Sequence, residues 1–164
     1  MEKTKTYMIG ERGPADGLVF YDKGSYSDGW RYLECASAQY EFTAKWGAFE
    51  KEIKRTTESV GDGMKNTKLV ADFLKNIGET DTATQRCLLL EINGYSDWFL
   101  PTKDELNLIY SKLAQNGHGE FSKEWYWSSS LYHDQNTWVQ NFDDGSQGKR
   151  YENVEAKVLA CRVF

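Results

Sequence analysis

Gly94-Tyr95-Ser96-Asp97-Trp98-Phe99-Leu100-Pro101-Thr102-Lys103-Asp104-Glu105-Leu106 is the stretch from which the fold can be read. An aromatic and apolar run that suits a strand is stopped by Pro101. Thr102-Lys103-Asp104-Glu105 then matches the S/T-x-x-E capping box that opens a helix. Leu106, Ile109, Tyr110 and Leu113 continue at helical spacing, with acidic residues in the first turn, where the helix dipole favours them.

Working upstream, Val70, Phe73, Leu74 and Ile77 fall at i, i+3, i+4 and i+7 behind an Asn66/Thr67 cap, and Gly78 stands where a C-terminal cap belongs. A further helix starts near Thr82, with Ala83, Cys87 and Leu90 on one face, and ends at Asn93-Gly94. Residues 40–63 follow neither period and read as an irregular segment. Before them, Leu18 to Asp22 and Trp30 to Cys35 read as a strand hairpin. Downstream, strands are expected at Trp125–Ser129, Thr137–Phe142, Lys149–Tyr151 and Lys157–Phe164, with Asp143-Asp144-Gly145-Ser146 as a hairpin turn. Strands, a helical middle and an antiparallel finish argue for an α+β domain, one antiparallel sheet with helices packed on it, spanning 13–164 behind a polar tail at 1–12.

A chain of 164 residues can bury roughly 70% of its unfolded surface, so a true core is expected. Twenty Lys and Arg against 25 Asp and Glu give a net charge of -5 with no basic stripe, which argues against nucleic acid as a partner. No apolar run approaches a membrane span, and no signal peptide follows Met1-Glu2-Lys3. Cys35, Cys87 and Cys161 are too widely spaced for a CxxC motif and lie among apolar residues, as buried free thiols do. Tyr26-Ser27-Asp28-Gly29-Trp30 and Tyr95-Ser96-Asp97-Trp98 echo one another and read as turns in which Asp accepts backbone N–H groups and Trp anchors the core.

Three strings stand out together: Gly13-Pro14-Ala15-Asp16-Gly17-Leu18-Val19-Phe20-Tyr21-Asp22, the 94–106 stretch, and Tyr126-Trp127-Ser128-Ser129-Ser130 followed by Trp138 and Phe142. In this combination the chain resembles the Lcl C-terminal domain family over residues 13–164. The resemblance implies a C-type-lectin-like fold in which the N- and C-terminal strands are adjacent, a ligand-binding or adhesin-like role, and a cell-surface or secreted location. Members of the wider superfamily include variable proteins diversified by retroelements. Tyr132, His133, Asp134, Asn136, Asn141, Asp143 and Tyr151 are of the residue types that changes at an Asn codon produce, and equally of the types that surface loops favour. The ending Leu159-Ala160-Cys161-Arg162-Val163-Phe164 departs from the family's usual Val-Arg-Pro-Val-Arg and is closer to formylglycine-generating-enzyme-like domains, so an oxidoreductase is the alternative. Those enzymes use neighbouring cysteines, and the spacing here offers none.

Other chemistry is thinly signalled. Ser128-Ser129-Ser130 lacks a G-x-S-x-G elbow and reads as a strand edge, and His118 and His133 fall in no metal-binding frame. Asp134, Asn136, Asn141, Asp143 and Asp144 offer oxygen ligands that calcium would accept, but the Glu-Pro-Asn or Gln-Pro-Asp string of sugar-binding lectins is missing, so no cofactor is expected. Trp98, Trp127, Trp138 and Phe142 are assigned to the core. Tyr132, His133, Asp134, Asn136, Asn141, Asp143 and Tyr151 are the residues expected to contact a protein or glycan ligand. No catalytic residue is expected.

Overall fold

The computed structural model describes residues 5–133 and 135–164. In chain order these form β1 (Leu18–Ser27), β2 (Trp30–Cys35), β3 (Phe42–Lys45), α1 (Gly63–Asn76), α2 (Ala83–Leu88), α3 (Lys103–Lys112), β4 (Trp125–His133), β5 (Asn136–Asn141), β6 (Gln147–Tyr151), β7 (Glu155–Val158) and β8 (Cys161–Val163). The α+β class holds, but the strands make two sheets, ordered β1-β2-β8 and β3-β7-β4-β5-β6, where one was expected. The reason lies near the C-terminus. The expected strand at 157–164 breaks at Leu159-Ala160, so that β7 serves the larger sheet and β8 the smaller.

β8 pairs with β2, through Leu33↔Val163, Glu34↔Arg162 and Cys35↔Cys161, and β1 occupies the other edge of β2. The first and last strands therefore share a sheet without being neighbours. The larger sheet is not wholly antiparallel either, because β4 and β7 run parallel where Tyr126 faces Lys157. The irregular region at 40–63 contributes β3, which pairs with β7 from Phe42↔Val158 to Lys45↔Glu155. Residues 7–12, set apart as a tail, lie on the smaller sheet: the Tyr7 ring sits 5.3 Å from Tyr32 and 5.1 Å from Phe164, and Val19 N–H donates to Glu11 O at 2.9 Å.

The capping box of α3 forms as its sequence requires. Glu105 N–H donates to Thr102 Oγ1 at 3.1 Å, and Thr102 N–H donates to Glu105 Oε2 at 2.7 Å. Phe99, by contrast, belongs to no strand and exchanges two 2.9 Å backbone bonds with Cys161. Helix α1 begins earlier than its polar residues suggested, with Asp62 as its N-cap. Asn66 and Thr67 lie inside it and are buried: Asn66 Nδ2 donates to Thr57 O at 2.8 Å and Ser129 Oγ at 3.2 Å, and Leu100 N–H donates to Thr67 Oγ1 at 3.0 Å. Helix α2 stops at Leu88, and Asn93-Gly94 instead form a tight turn closed by reciprocal Ile92/Tyr95 bonds.

Two apolar cores result. Trp46, Val70, Leu74, Trp98, Trp127 and Val158 fill the space between the larger sheet and helices α1 and α2. Phe20, Leu33, Phe99, Leu106, Ile109 and Tyr126 fill the space between the smaller sheet and α3. Each fully buried side chain of this size contributes about 1.5–3 kcal/mol. Of the four residues assigned to the core, Trp98, Trp127 and Phe142 are buried and Trp138 is not. Phe142 lies just beyond the end of β5 in the second core, while Val139 packs in the first.

Candidate functional site

β4 pairs with β5 as far as its last residue, His133↔Asn136, and Gln135 takes φ 68°. This tip projects Tyr132 and His133. Their rings lie 4.4 Å apart, the edge of Trp138 meets Tyr132 at 4.8 Å, and Lys149 Nζ stands 5.0 Å from the Tyr132 ring. Trp138 is the residue the sequence misassigned. Its indole N–H donates to Glu58 at 2.9 Å and Lys103 Nζ lies 4.0 Å over its ring, so it forms the half-buried floor of this surface. Tyr151, 58% exposed, lies at the same end and meets Phe49 edge-on at 6.2 Å.

Beside Tyr132 opens a cleft of 540 Å³, walled by Glu50 to Ile53, Arg55 and Thr56 on one side and by Leu131, Tyr132, His133 and Gln135 on the other. The wall at 48–55 holds three non-glycine residues in the left-handed region: Ala48 at φ 65°, Glu50 at 63° and Arg55 at 75°. Such conformations cost about 1–3 kcal/mol each and concentrate at binding sites. Leu131 N–H donates to Thr56 Oγ1 at 2.9 Å, pinning this segment to β4. The charged run Lys51-Glu52-Ile53-Lys54-Arg55 gave no hint of the role, because only the fold brings it to the tip.

Glu152 lies at the back of the cleft, 2% exposed. One oxygen accepts from Thr137 Oγ1 at 3.3 Å, and the other has no hydrogen-bond partner. Burial, helped by the charge of Glu79, pushes its carboxyl up to about 7.

The seven expected contact residues do not form one site. Tyr132, His133 and Tyr151 share the tip, whereas Asn141 and Asp143 lie at the opposite end of β5, roughly 17 Å away for five residues of strand. Asn136 is at the tip but is largely buried, 8% exposed. Asp134 lies outside the described residues. The far turn satisfies itself: Asp143 N–H donates to Asn141 Oδ1 at 2.8 Å, Ser146 N–H and Oγ–H donate to Asp144 Oδ1 at 2.9 and 2.7 Å, and Lys123 pairs with Asp143 at 3.6 Å. The oxygen ligands suggested for calcium are thus divided between two ends of a strand. Among the described residues no three His, Cys, Asp or Glu side chains converge as a metal site.

The family-like strings turn out to be structural. Ser128, Ser129 and Ser130 are fully buried in β4, the central strand of the larger sheet, and not on an edge. They occupy the break in pairing between Trp127 and Leu131 and tie three elements together. Ser129 N–H donates to Pro101 O at 2.7 Å, Ser130 Oγ–H donates to Thr57 O at 2.6 Å, and Lys103 N–H donates to Ser130 Oγ at 3.0 Å. Glu34, wholly buried, accepts from Ala15 N–H and Gly17 N–H, both at 3.1 Å, and from Arg162 Nη1 at 2.8 Å. A Cβ at Gly13 or Gly17 would run into that carboxylate, which explains two glycines of the first string. The turn reading expected Asp97 to accept backbone N–H groups; among the described residues it accepts none and instead holds the Arg162 guanidinium through two bonds of 2.7 and 3.0 Å. Cys35 and Cys161, distant in sequence, face each other across β2 and β8, where burial pushes the Cys35 thiol up to about 12.

A solved structure of similar fold is a fimbrial protein from Bacteroides ovatus, with a TM-score of 0.54 at 15% identity over 82% of this chain. The chain spans 36% of that protein's length. At such identity the likeness is one of fold. No curated protein matches the chain. The model of the Lcl C-terminal domain matches residues 30–162, from the start of β2 to the arginine that closes the Glu34–Asp97 network, and the chain belongs to that family.

Proposed function

We propose that this domain is a non-enzymatic recognition module of an adhesin-like surface protein, which binds a protein or glycan through the tip formed by Tyr132, His133, Tyr151 and the 49–56 segment. The observation that carries this reading is the tip itself: exposed aromatic rings on a rigid hairpin beside a 540 Å³ cleft whose wall is held in left-handed conformations. Rigid tyrosines with adaptable polar neighbours suit binding at low entropic cost. Family membership and the fold of a fimbrial protein support a surface role. The C-type-lectin-like assignment is part of the same proposal, supported by the return of β8 to the sheet that holds β1.

Screening the domain against glycan and protein arrays, beside a Tyr132→Ala/His133→Ala/Tyr151→Ala variant, tests the reading. Ligand signal lost at unchanged thermal stability supports it, and signal retained in the folded variant refutes it. Diversification of the exposed positions would leave a template repeat and a reverse transcriptase beside the gene; a locus without them removes that part of the proposal. A formylglycine-generating-enzyme-like oxidoreductase would need thiols open to copper, whereas Cys35 and Cys161 are both fully buried.

A further inference from the structure

A second cavity, of 360 Å³, lies on the other side of Glu152, between β3, the loop joining α1 to α2, and the turn from β6 to β7. Of the recognition tip only Phe49 lines it, and Tyr132, His133 and Tyr151 do not. Four carboxylates do, Glu79, Asp81, Glu152 and Glu155, against two cations, Lys45 and Arg86.

The two cations have other duties. Arg86 donates to Thr43 O at 3.0 Å, pairs with Asp81 at 3.5 Å and stacks over the Phe42 ring at 4.0 Å. Lys45 is the register partner of Glu155 across β3 and β7. Glu79 accepts the Ala48 N–H at 2.6 Å. That leaves Glu152 with a buried oxygen that accepts nothing among the described residues, next to a second carboxylate, and a buried acceptor left unmade is destabilising. Phe49 adds an aromatic wall, of the kind that attracts a cation.

We propose that this cavity is a subsite for a cationic side chain, the ammonium or guanidinium of a lysine or arginine on a protein partner, held between Glu152 and Glu79. A cation there would satisfy the orphaned oxygen and remove the repulsion between the two carboxylates in one step. An aliphatic stem would lie against Phe49, and the cavity has room for a lysine or arginine side chain. The subsite borders the recognition tip at Phe49 and its cleft at Glu152, and uses none of Tyr132, His133 and Tyr151.

The test is an amide-resolved NMR titration with n-butylammonium chloride and with ethylguanidinium chloride, against n-butanol and sodium chloride at matched concentrations. It is run on the wild type, on Glu152→Gln and on Tyr132→Ala. The cations should shift Gly47, whose N–H donates to Glu152 O, and Thr82 on the opposite wall, with the neutral alcohol at least tenfold weaker. Glu152→Gln should weaken cation binding at least tenfold, and the tyrosine variant should bind as the wild type does. Equal shifts from butanol and butylammonium in the wild type overturn the proposal whether or not Glu152→Gln folds, as does undiminished binding by a folded Glu152→Gln. A preference of one cation over the other identifies the partner's residue as lysine or arginine. Because the tyrosine variant is carried alongside, a failed subsite and a failed recognition tip give different results.

Discussion

Replacing Arg162 with methionine removes the one cation that joins Glu34 to Asp97 while keeping a side chain of similar length. In the wild type burial opposes the charge on Arg162, but the hydrogen bonds and charges of Asp97 and Glu34 outweigh it and hold the guanidinium ionised more firmly than usual. Without it, Asp97, half exposed, can turn to water. Glu34 cannot, since it is wholly buried and would keep only the N–H groups of Ala15 and Gly17. Removing one partner of a buried ion pair costs about 3–5 kcal/mol. In a domain of this size each kcal/mol moves Tm by roughly 2–4 °C, so Arg162→Met should melt about 6–20 °C below the wild type by calorimetry at pH 7. The double variant Glu34→Gln/Arg162→Met should recover part of the loss, because the uncompensated charge is gone. A fall of less than about 3 °C in the single variant, or a double variant whose loss is the sum of the two singles, would show that the network does not hold the two chain ends together.

The buried carboxyl of Glu152 predicts an inverse effect. Its folded-state value of about 7 lies above the ordinary 4.5, so the folded protein holds a proton that the unfolded chain has lost, and stability falls as pH rises through that window. Wild-type Tm should therefore drop between pH 5 and pH 8, and Glu152→Gln should match the wild type at pH 5 and exceed it at pH 8 by up to about 3 kcal/mol; a pH-independent difference between the two would contradict this. Ser130→Ala unpairs Lys103 N–H, leaves Thr57 O with Asn66 Nδ2 as its donor, and should cost about 1–3 kcal/mol in urea unfolding with the midpoint moved and the slope unchanged. All three cysteines are buried and free, with thiols whose ionisation burial opposes, so a disulfide reagent should label none of them in the native protein and every one after unfolding.

What the sequence disclosed was mostly local. The box at Thr102–Glu105 is satisfied within one turn of chain, so its residues announce it, and the stripe of Leu106 and Ile109 follows from the helical period alone. Asn66 and Thr67 misled because a polar pair before an apolar stripe is what a cap looks like, and their real partners, Thr57, Ser129 and Leu100, are brought to them only by tertiary folding. The break at Leu159-Ala160 carried no glycine or proline to mark it. Both residues are buried, and an apolar run reads the same whether the strand continues or passes to another sheet. Trp138 failed for a related reason. A large aromatic on a strand is usually core, and nothing nearby in sequence reveals that Glu58 and Lys103 cover one side of it.

The same contrast bears on where binding chemistry can be found in such a domain. The strings that look most deliberate, the glycines at 13 and 17, Asp97, the serines at 128–130 and Arg162, are engaged in bonds that hold the scaffold together. Residues with unspent capacity are unremarkable as sequence: Tyr132 and Tyr151 on strand ends, the 49–56 segment, and a glutamate in the turn after β6. A motif held in place by its own hydrogen bonds builds the scaffold, and the exposed or locally unsatisfied positions around it are where recognition can change without loss of the fold. On that argument, exchanging the tip residues 132, 133 and 151 between family members should transfer ligand preference and leave Tm nearly unchanged, whereas exchange at position 34, 97 or 162 singly should lower Tm and leave the preference of the surviving folded protein intact.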